Sequence, residues 1–75
     1  MHRYYFTVVD GLDVADAEGT ELPDVAAVRR EAIRYAGELL QDRSGEYLWA
    51  AQEWRMLVTD ESGATILTLR VLAEH

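Results

Sequence analysis

The sequence predicts an α+β fold in the order ββαββ, in which a four-stranded, antiparallel-rich sheet carries one amphipathic helix on one face. Three observations predict this architecture. An alternating apolar segment ends at Asp10-Gly11, a long segment with helical periodicity opens at Pro23-Asp24, and two further alternating segments flank a turn signal at residues 60–63. The 75 residues therefore form a single α+β domain over residues 1–75.

The first hairpin begins with a strand over residues 3–9, where aromatic and β-branched side chains alternate between two faces. Asp10-Gly11 then turns the chain into a weaker strand around Leu12 to Asp16. The register of this strand stays open from sequence. A two-residue loop turns Val14 outward, whereas a three-residue loop with a left-handed glycine puts Val14 beside Val8. The second register is favoured because it buries Val14.

An acidic turn is predicted at residues 17–21, and the helix follows from about Val25 to Asp42. Asp24 can cap the first free amides, and Ser44-Gly45 is a typical helix end. The opposite, polar side of the helix carries an ion pair at the spacing i,i+4, Arg34 with Glu38. The apolar stripe consists of Val25, Val28, Ala32, Tyr35, Ala36 and Leu39, with Ile33 and Leu40 at its margin.

Residues 46–52 lack a clean period, and we interpret them as a connection with a short helical turn. That turn lays Leu48 or Trp49 over the edge of the core.

The second hairpin is predicted from two alternations that agree on one inward face. Trp54, Met56 and Val58 alternate with Arg55, Leu57 and Thr59, and a four-residue turn follows them. This turn sets a register with four expected pairs, namely Met56 with Leu67, Trp54 with Leu69, Leu57 with Ile66, and Glu53 with Arg70.

Composition excludes several classes of function. The net charge of −7 argues against a nucleic-acid partner, and the absence of cysteine removes disulfides and thiolate metal sites. The chain has no lysine, which excludes a Schiff-base nucleophile and a P-loop lysine. The N-terminal residues contain no apolar stretch of the length of a signal peptide or a membrane span, so we expect a cytoplasmic location and no membrane association.

The sequence offers no catalytic, cofactor-binding or metal-binding constellation. Ser44 and Ser62 are the only serines, both lie in predicted turns, and both histidines lie at the termini. The acidic residues between Asp10 and Asp24 lack the spacing of a calcium loop and are better explained as turn formers, a cap and solvated charges. We therefore predict a protein that is not an enzyme and needs no cofactor.

One helix covers one face of a four-stranded sheet, so the second face is left open. An apolar patch on such a face commonly marks an interface, although a solvated sheet face with scattered apolar residues has the same pattern. We therefore predict a homodimer, formed sheet to sheet or edge to edge. The candidate interface residues are Tyr5, Val9, Arg55, Leu57, Ile66, Arg70 and Leu72.

Several short motifs are spread along most of the chain, from Arg3 to about Val71. They are Arg3-Tyr4-Tyr5-Phe6 with Val8 and Asp10-Gly11, Gly19, Leu22-Pro23-Asp24, Glu31-Ala32, Val58 to Glu61 with Gly63, and Leu67-Thr68-Leu69. Together they resemble a widespread family of short bacterial proteins classed only as a domain of unknown function. Family members often carry proline at the position of His2, histidine at that of Thr7 and arginine at that of Val9. The resemblance implies a shared fold and no particular chemistry.

Three hypotheses for function follow. The leading one is a non-enzymatic, acidic interaction or regulatory module that self-associates through its open sheet face. The second rests on a remoter similarity, since a tyrosine-rich first strand in a tiny acidic α+β protein resembles antitoxins that mask a basic toxin, and it expects a basic protein partner. The third is a small-ligand-binding or catalytic protein whose site forms only between subunits.

Overall fold

A computed structural model of the protein describes residues 1–9, 16–41, 46, 48–50 and 53–74. The described residues form four strands and one long helix, in the predicted order ββαββ. The sheet has the strand order β2-β1-β3-β4, and all neighbouring strands are antiparallel. The elements are β1 (His2–Val9), β2 (Thr20–Leu22), α1 (Val25–Gln41), β3 (Glu53–Thr59) and β4 (Thr65–Leu72). The predicted α+β fold is confirmed.

β1 lies in the interior of the sheet, between β2 and β3. Tyr4, Phe6 and Val8 are buried on the helix side, as predicted. The outward side chains of β1 are half-buried. The ring of Phe6 meets the ring of Tyr35 from α1 edge to face, with centroids 6.3 Å apart.

The second strand that the structure describes, Thr20–Leu22, lies later in the chain than the strand predicted from sequence. β2 pairs with the start of β1, so that Leu22 lies opposite His2 and Thr20 opposite Tyr4. Residues 17–21 were predicted as an acidic turn, but the last two of them belong to β2. Asp16, predicted as the end of a strand, does not lie in a strand. The predicted strand residues 12–15, the Asp10-Gly11 turn and the register of Val14 lie outside the described residues.

The physical reason for this position of β2 is a turn that residues 16–19 build from side-chain contacts. Asp16 accepts hydrogen bonds from the backbone N–H groups of Glu18 and Gly19 through Oδ1, at 3.2 and 3.0 Å. Its Oδ2 accepts the N–H of Phe6 in β1 at 3.2 Å. Gly19 takes a left-handed φ of 76°. The turn therefore delivers the chain beside β1 at Thr20.

α1 begins and packs as predicted. The N–H of Ala27 donates to Asp24 Oδ1 at 2.8 Å, which is the geometry of an N-terminal cap. Three alanines and Val28 are buried along the inner side, and Tyr35, Leu39 and Leu40 pack against the core at its margin. Val25 was predicted on the stripe but is 47% exposed. The predicted end at Ser44-Gly45 lies outside the described residues.

The connection after α1 contains helical structure at residue 46 and residues 48–50. Leu48 packs against the hydrophobic core, whereas Trp49 is 59% exposed. Of the two alternatives from sequence, Leu48 is therefore the residue that covers the edge of the core.

The second hairpin has the predicted inward face but a different register. The predicted pairs are wrong, because Met56 lies opposite Leu69, Trp54 opposite Val71, Leu57 opposite Thr68 and Glu53 opposite Leu72. The shift of two residues has two sources. Asp60 N–H donates to Ala64 O, so the turn includes one residue more than predicted, and an irregularity in the pairing next to Ile66 adds another. Because the total shift is even, Leu67 and Leu69 stay on the helix side.

The core lies between α1 and the middle of the sheet. Trp54, Met56, Val58 and Val28 are fully buried. Within the described residues, the indole Nε1 of Trp54 is a buried polar atom without a hydrogen-bond partner. No helix in the described part of the chain is long and apolar enough to cross a membrane.

Candidate interaction surface

We define the open face as the outward side of the four-stranded sheet, opposite α1. The register places its side chains in three rows across the strands. One row is Tyr5, Thr59 and Thr65, the next is Thr7, Leu57 and Thr68, and the third is Val9, Arg55 and Arg70. Leu72 lies at a corner and is 57% exposed. Six of the seven candidate residues predicted from sequence belong to this face.

Leu57 forms the centre of the open face. It lies directly opposite Thr7 and Thr68, and Tyr5 and Val9 are its diagonal neighbours on β1. Diagonal neighbours on one face of a sheet are within reach of each other's side chains. Leu57, Tyr5 and Val9 are each half-buried by these neighbours. The apolar centre of the face is therefore a small cluster of three side chains.

Two arginines border this cluster and share one carboxylate. Arg55 and Arg70 lie directly opposite each other on β3 and β4, where two like charges repel. Glu53 offsets this repulsion, since its Oε1 lies 3.4 Å from Arg55 Nε and its Oε2 lies 3.3 Å from Arg70 Nη2. The predicted contact between Glu53 and Arg70 thus exists as a diagonal ion pair. The three side chains together carry a charge of +1.

A third arginine of the open face, Arg3, lies on the outward side of β1. Its guanidinium donates to Glu18 O at 2.7 Å and to Glu21 Oε1 at 3.0 Å, which ties β1 to β2. Counting Arg3, Arg55 and Arg70 against Glu21 and Glu53, the open face carries a net charge of +1. Since the chain carries −7, the remaining residues carry −8. Neither Arg3 nor Glu53 was in the predicted set, although their alternation places both on this side.

Ile66 is the candidate residue that the structure separates from the others. It lies at the register irregularity of β4 and lines a groove with Tyr4 and Val25, which belong to the helix side. An irregularity of this kind changes the alternation locally, and the sequence has no signal for it.

This groove lies at the end of the sheet where α1 begins, and its volume is about 410 Å³. Tyr4, Val25 and Ile66 form its apolar part, and Asp60 and Glu61 form an acidic wall. Both carboxylates already have structural contacts. Asp60 Oδ1 accepts the Ser62 hydroxyl at 2.6 Å and the backbone N–H of Ala64 at 3.1 Å, and Glu61 Oε1 accepts the N–H of Arg3 at 3.3 Å. The hydrogen bond from Ser62 is the main cause that lowers the pKa of Asp60.

A second groove, of about 270 Å³, lies between residues 16–20 and the middle of α1. Arg34 dominates its helix side, where it donates to Glu31 at 2.6 and 3.0 Å and to Glu38 at 2.7 Å. The predicted ion pair of Arg34 with Glu38 is thereby confirmed. The hydrogen bond between Glu31 and Arg34 lowers the pKa of the carboxyl and raises the pKa of the guanidinium.

Among the described residues, no group of three or more histidines, cysteines and carboxylates is placed to hold a metal ion. Asp16, Asp24 and Asp60 each accept a hydrogen bond from a backbone N–H group nearby in the chain.

Comparison with known proteins identifies a family. The model of the domain of unknown function DUF6894 matches residues 3–73. The chain belongs to this family. The sequence motifs predicted a resemblance to a domain of unknown function, and this match confirms it. The searches of curated proteins and of solved structures each found no match.

Proposed function

We propose that this member of the DUF6894 family is a non-enzymatic, acidic interaction module that self-associates through its open sheet face. The observation that carries the proposal is the composition of that face. An apolar cluster of Tyr5, Leu57 and Val9 is bordered by Arg55 and Arg70, and the described chain places no layer over it. Tyrosine and arginine are the side chains that interfaces favour at their energetic centres.

The distribution of charge favours contact between two open faces. Each copy presents a side with a charge of +1, whereas the described residues outside this face carry a charge of −6. Any contact through the acidic surfaces brings many like charges together. Two sheets packed face to face lie about 10 Å apart and interleave their side chains.

Sedimentation equilibrium tests the proposal. We expect a dimer for the unchanged protein at high micromolar concentration and a monomer for Leu57→Asp, because the substitution puts a carboxylate, which is costly to desolvate, in place of the central apolar side chain of the interface. Ile33→Asp is the matched control, since Ile33 is 63% exposed on α1 and the change in charge is the same. A monomeric wild-type protein, or a dimer that Leu57→Asp leaves intact, contradicts the proposal.

A second candidate is an acidic protein that masks a basic partner. It is favoured by the groove at the end of the sheet, where Asp60 and Glu61 stand beside the apolar side chains of Tyr4, Val25 and Ile66. A basic side chain with an apolar stem suits such a groove. Electrostatic association of this kind weakens as salt rises.

The test for this candidate is capture of a basic protein from the native cell, with the product of a neighbouring gene as the first bait. We expect binding that is lost at high salt and weakened by Glu61→Lys. Glu38→Lys, on the outer side of α1, is the matched control. Binding that salt and Glu61→Lys leave unchanged rules this candidate out.

Cell fractionation of a tagged chain tests the cytoplasmic location expected from sequence.

A further inference from the structure

β4 is an edge of the sheet that lacks most of the usual protection. In the described part of the chain it pairs only with β3. It is eight residues long, contains no proline, and carries Arg70 as its only charge. Natural proteins shorten, charge or cover their edge strands, because free N–H and C=O groups pair readily with another strand. The irregularity at Ile66 protects only the first part of this edge.

The opposite edge shows what protection looks like in this protein. β2 has three residues with Glu21 in the middle, and the Asp16 turn and the guanidinium of Arg3 lie against it. Pairing of another strand with β2 is therefore disfavoured, because β2 is short and Glu21 lies at its centre. The two edges therefore differ in length and charge.

The side of β4 that faces the core is only half covered. Trp54, Met56 and Val58 on β3 are fully buried, whereas Leu67, Leu69 and Val71 on β4 are half-buried at the border of the same core. The helix layer thus leaves a row of three apolar side chains partly exposed along the edge. A strand that pairs with β4 and carries a similar row would extend the core.

We propose that β4 pairs antiparallel with β4 of a second copy about a two-fold axis. The strand itself offers the matching row, since two antiparallel copies bring Leu67, Leu69 and Val71 together on one side of the joined sheet. The partner is therefore a second copy of this chain, and backbone hydrogen bonds supply the contact along the edge.

The sequence of β4 selects the register. In an antiparallel pair, residues directly opposite each other have side chains on the same face. The two-fold axis must therefore pass between the two copies of one residue. The regular part of β4, from Leu67 to Leu72, limits which residue this is. An axis at Arg70 places two guanidinium groups directly opposite each other. An axis at Leu69 places Leu67 opposite Val71 and Thr68 opposite Arg70 of the second copy. The axis at Leu69 is therefore the one we propose.

This arrangement joins two four-stranded sheets into one continuous sheet. Both helices lie on one side and both open faces on the other, so the apolar clusters around Leu57 stand side by side. The edge contact is separate from the face contact proposed above, and neither requires the other.

Disulfide trapping tests the register, and the cysteine-free chain makes it unambiguous. Leu69→Cys places two thiols on directly opposed residues, whose Cα separation of about 4.5–5.5 Å fits a disulfide. In a glutathione redox buffer we expect a covalent dimer for Leu69→Cys and monomer for Ile33→Cys, the exposed helix control. Leu69→Cys that cross-links no more than Ile33→Cys overturns the inference. Cross-linking of Leu57→Cys alone supports the face contact and likewise overturns the edge contact.

Hydrogen exchange of the unchanged protein gives a second measurement, which requires no substitution in β4. Amides of residues 67–72 that point away from β3 should exchange more slowly as protein concentration rises, by about tenfold or more when the dimer dominates. Leu57→Asp should keep this protection even though it disrupts the face contact. Exchange of these amides at a rate independent of concentration contradicts the edge pairing, whatever the outcome at Leu57.

Discussion

The turn at residues 16–19 and the turn at residues 60–64 each combine an aspartate carboxylate with a left-handed glycine, yet they are coupled to the fold differently. Among the described residues, Asp60 accepts hydrogen bonds from Ser62 and Ala64 of its own turn, and a Cβ placed on Gly63 has no neighbouring atom within 4 Å. Asp16 reaches across to the N–H of Phe6 in β1. A Cβ placed on Gly19 lies 2.8 Å from Arg3 Cγ and 2.9 Å from Tyr5 Cε1.

The difference teaches that the same local chemistry can serve two purposes. The turn at residues 60–64 reverses the chain, and it contacts β1 through the hydrogen bond that Glu61 Oε1 accepts from the N–H of Arg3 at 3.3 Å. The turn at residues 16–19 also satisfies an amide of β1 and packs against Arg3 and Tyr5, two residues on the outward side of that strand. The positions of Arg3 and Tyr5 on the open face therefore depend on the first turn.

Gly19→Ala should have the largest effect. The new methyl group combines a strained φ with close contacts to Arg3 and Tyr5, so we expect a loss of about 3 kcal/mol in the free energy of unfolding. Urea denaturation measures this loss. Gly19→Asn separates the two causes, because asparagine tolerates a left-handed φ but keeps the clash. A stability equal to wild type for Gly19→Asn contradicts the role of close packing.

Asp16→Ala should follow, at about 2 kcal/mol, because it leaves the N–H of Phe6 and two turn amides without an acceptor. Asp16→Asn sharpens the comparison. Asparagine keeps one oxygen for the turn amides and presents an NH₂ group to Phe6, so it should restore only part of the loss. Glu18→Ala is the control at an exposed neighbour. An unfolding midpoint for Asp16→Ala that matches the control rules out the bridge to β1.

Gly63→Ala should cost less, about 1 kcal/mol, because only the left-handed φ of 88° opposes a side chain there. Gly63→Asn should be close to neutral, in contrast to Gly19→Asn. Urea denaturation of the four variants side by side tests the comparison directly. A larger loss at Gly63 than at Gly19 would reverse the ranking of the two turns.

The smallest effect concerns pH. The hydrogen bonds to Asp60 lower its pKa in the folded state, chiefly through Ser62. A lowered folded pKa adds stability above the unfolded pKa of about 4, and that stability is lost as pH falls through the folded pKa. Asp60→Asn should therefore be less stable than wild type at neutral pH and approach it in acid. Thermal unfolding at several pH values measures this, and a difference that grows towards low pH contradicts the assignment.

Elements with local signals were predictable from sequence. α1 begins at its Asp24 cap and follows its apolar stripe, and the Asp60 turn lies where its residues indicate. β2 was not predictable, because three residues are too few to show an alternating pattern. In addition, Glu21 is typical of a loop, and its ion pair with Arg3 is visible only in the structure. The register of β3 and β4 was missed for a similar reason, since the irregularity at Ile66 has no signature in its neighbours.

The candidate surface divides in the same way. Alternation alone placed Tyr5, Val9 and Leu57 on one face, which the pairing of β1 with β3 bears out. The sharing of Glu53 by two arginines depends on which residues the register sets opposite each other, and therefore on contacts between distant segments.

By itself, the sequence determined the order of the elements, the inward faces of β1, β3 and α1, and the helix cap. These features follow from periodicity and from hydrogen bonds between residues that are close in the chain. The tertiary structure decided the place of β2, the register of the second hairpin, and which apolar residues remain partly exposed along β4. Those features depend on pairings between residues far apart in the chain, whose free energy no local pattern contains.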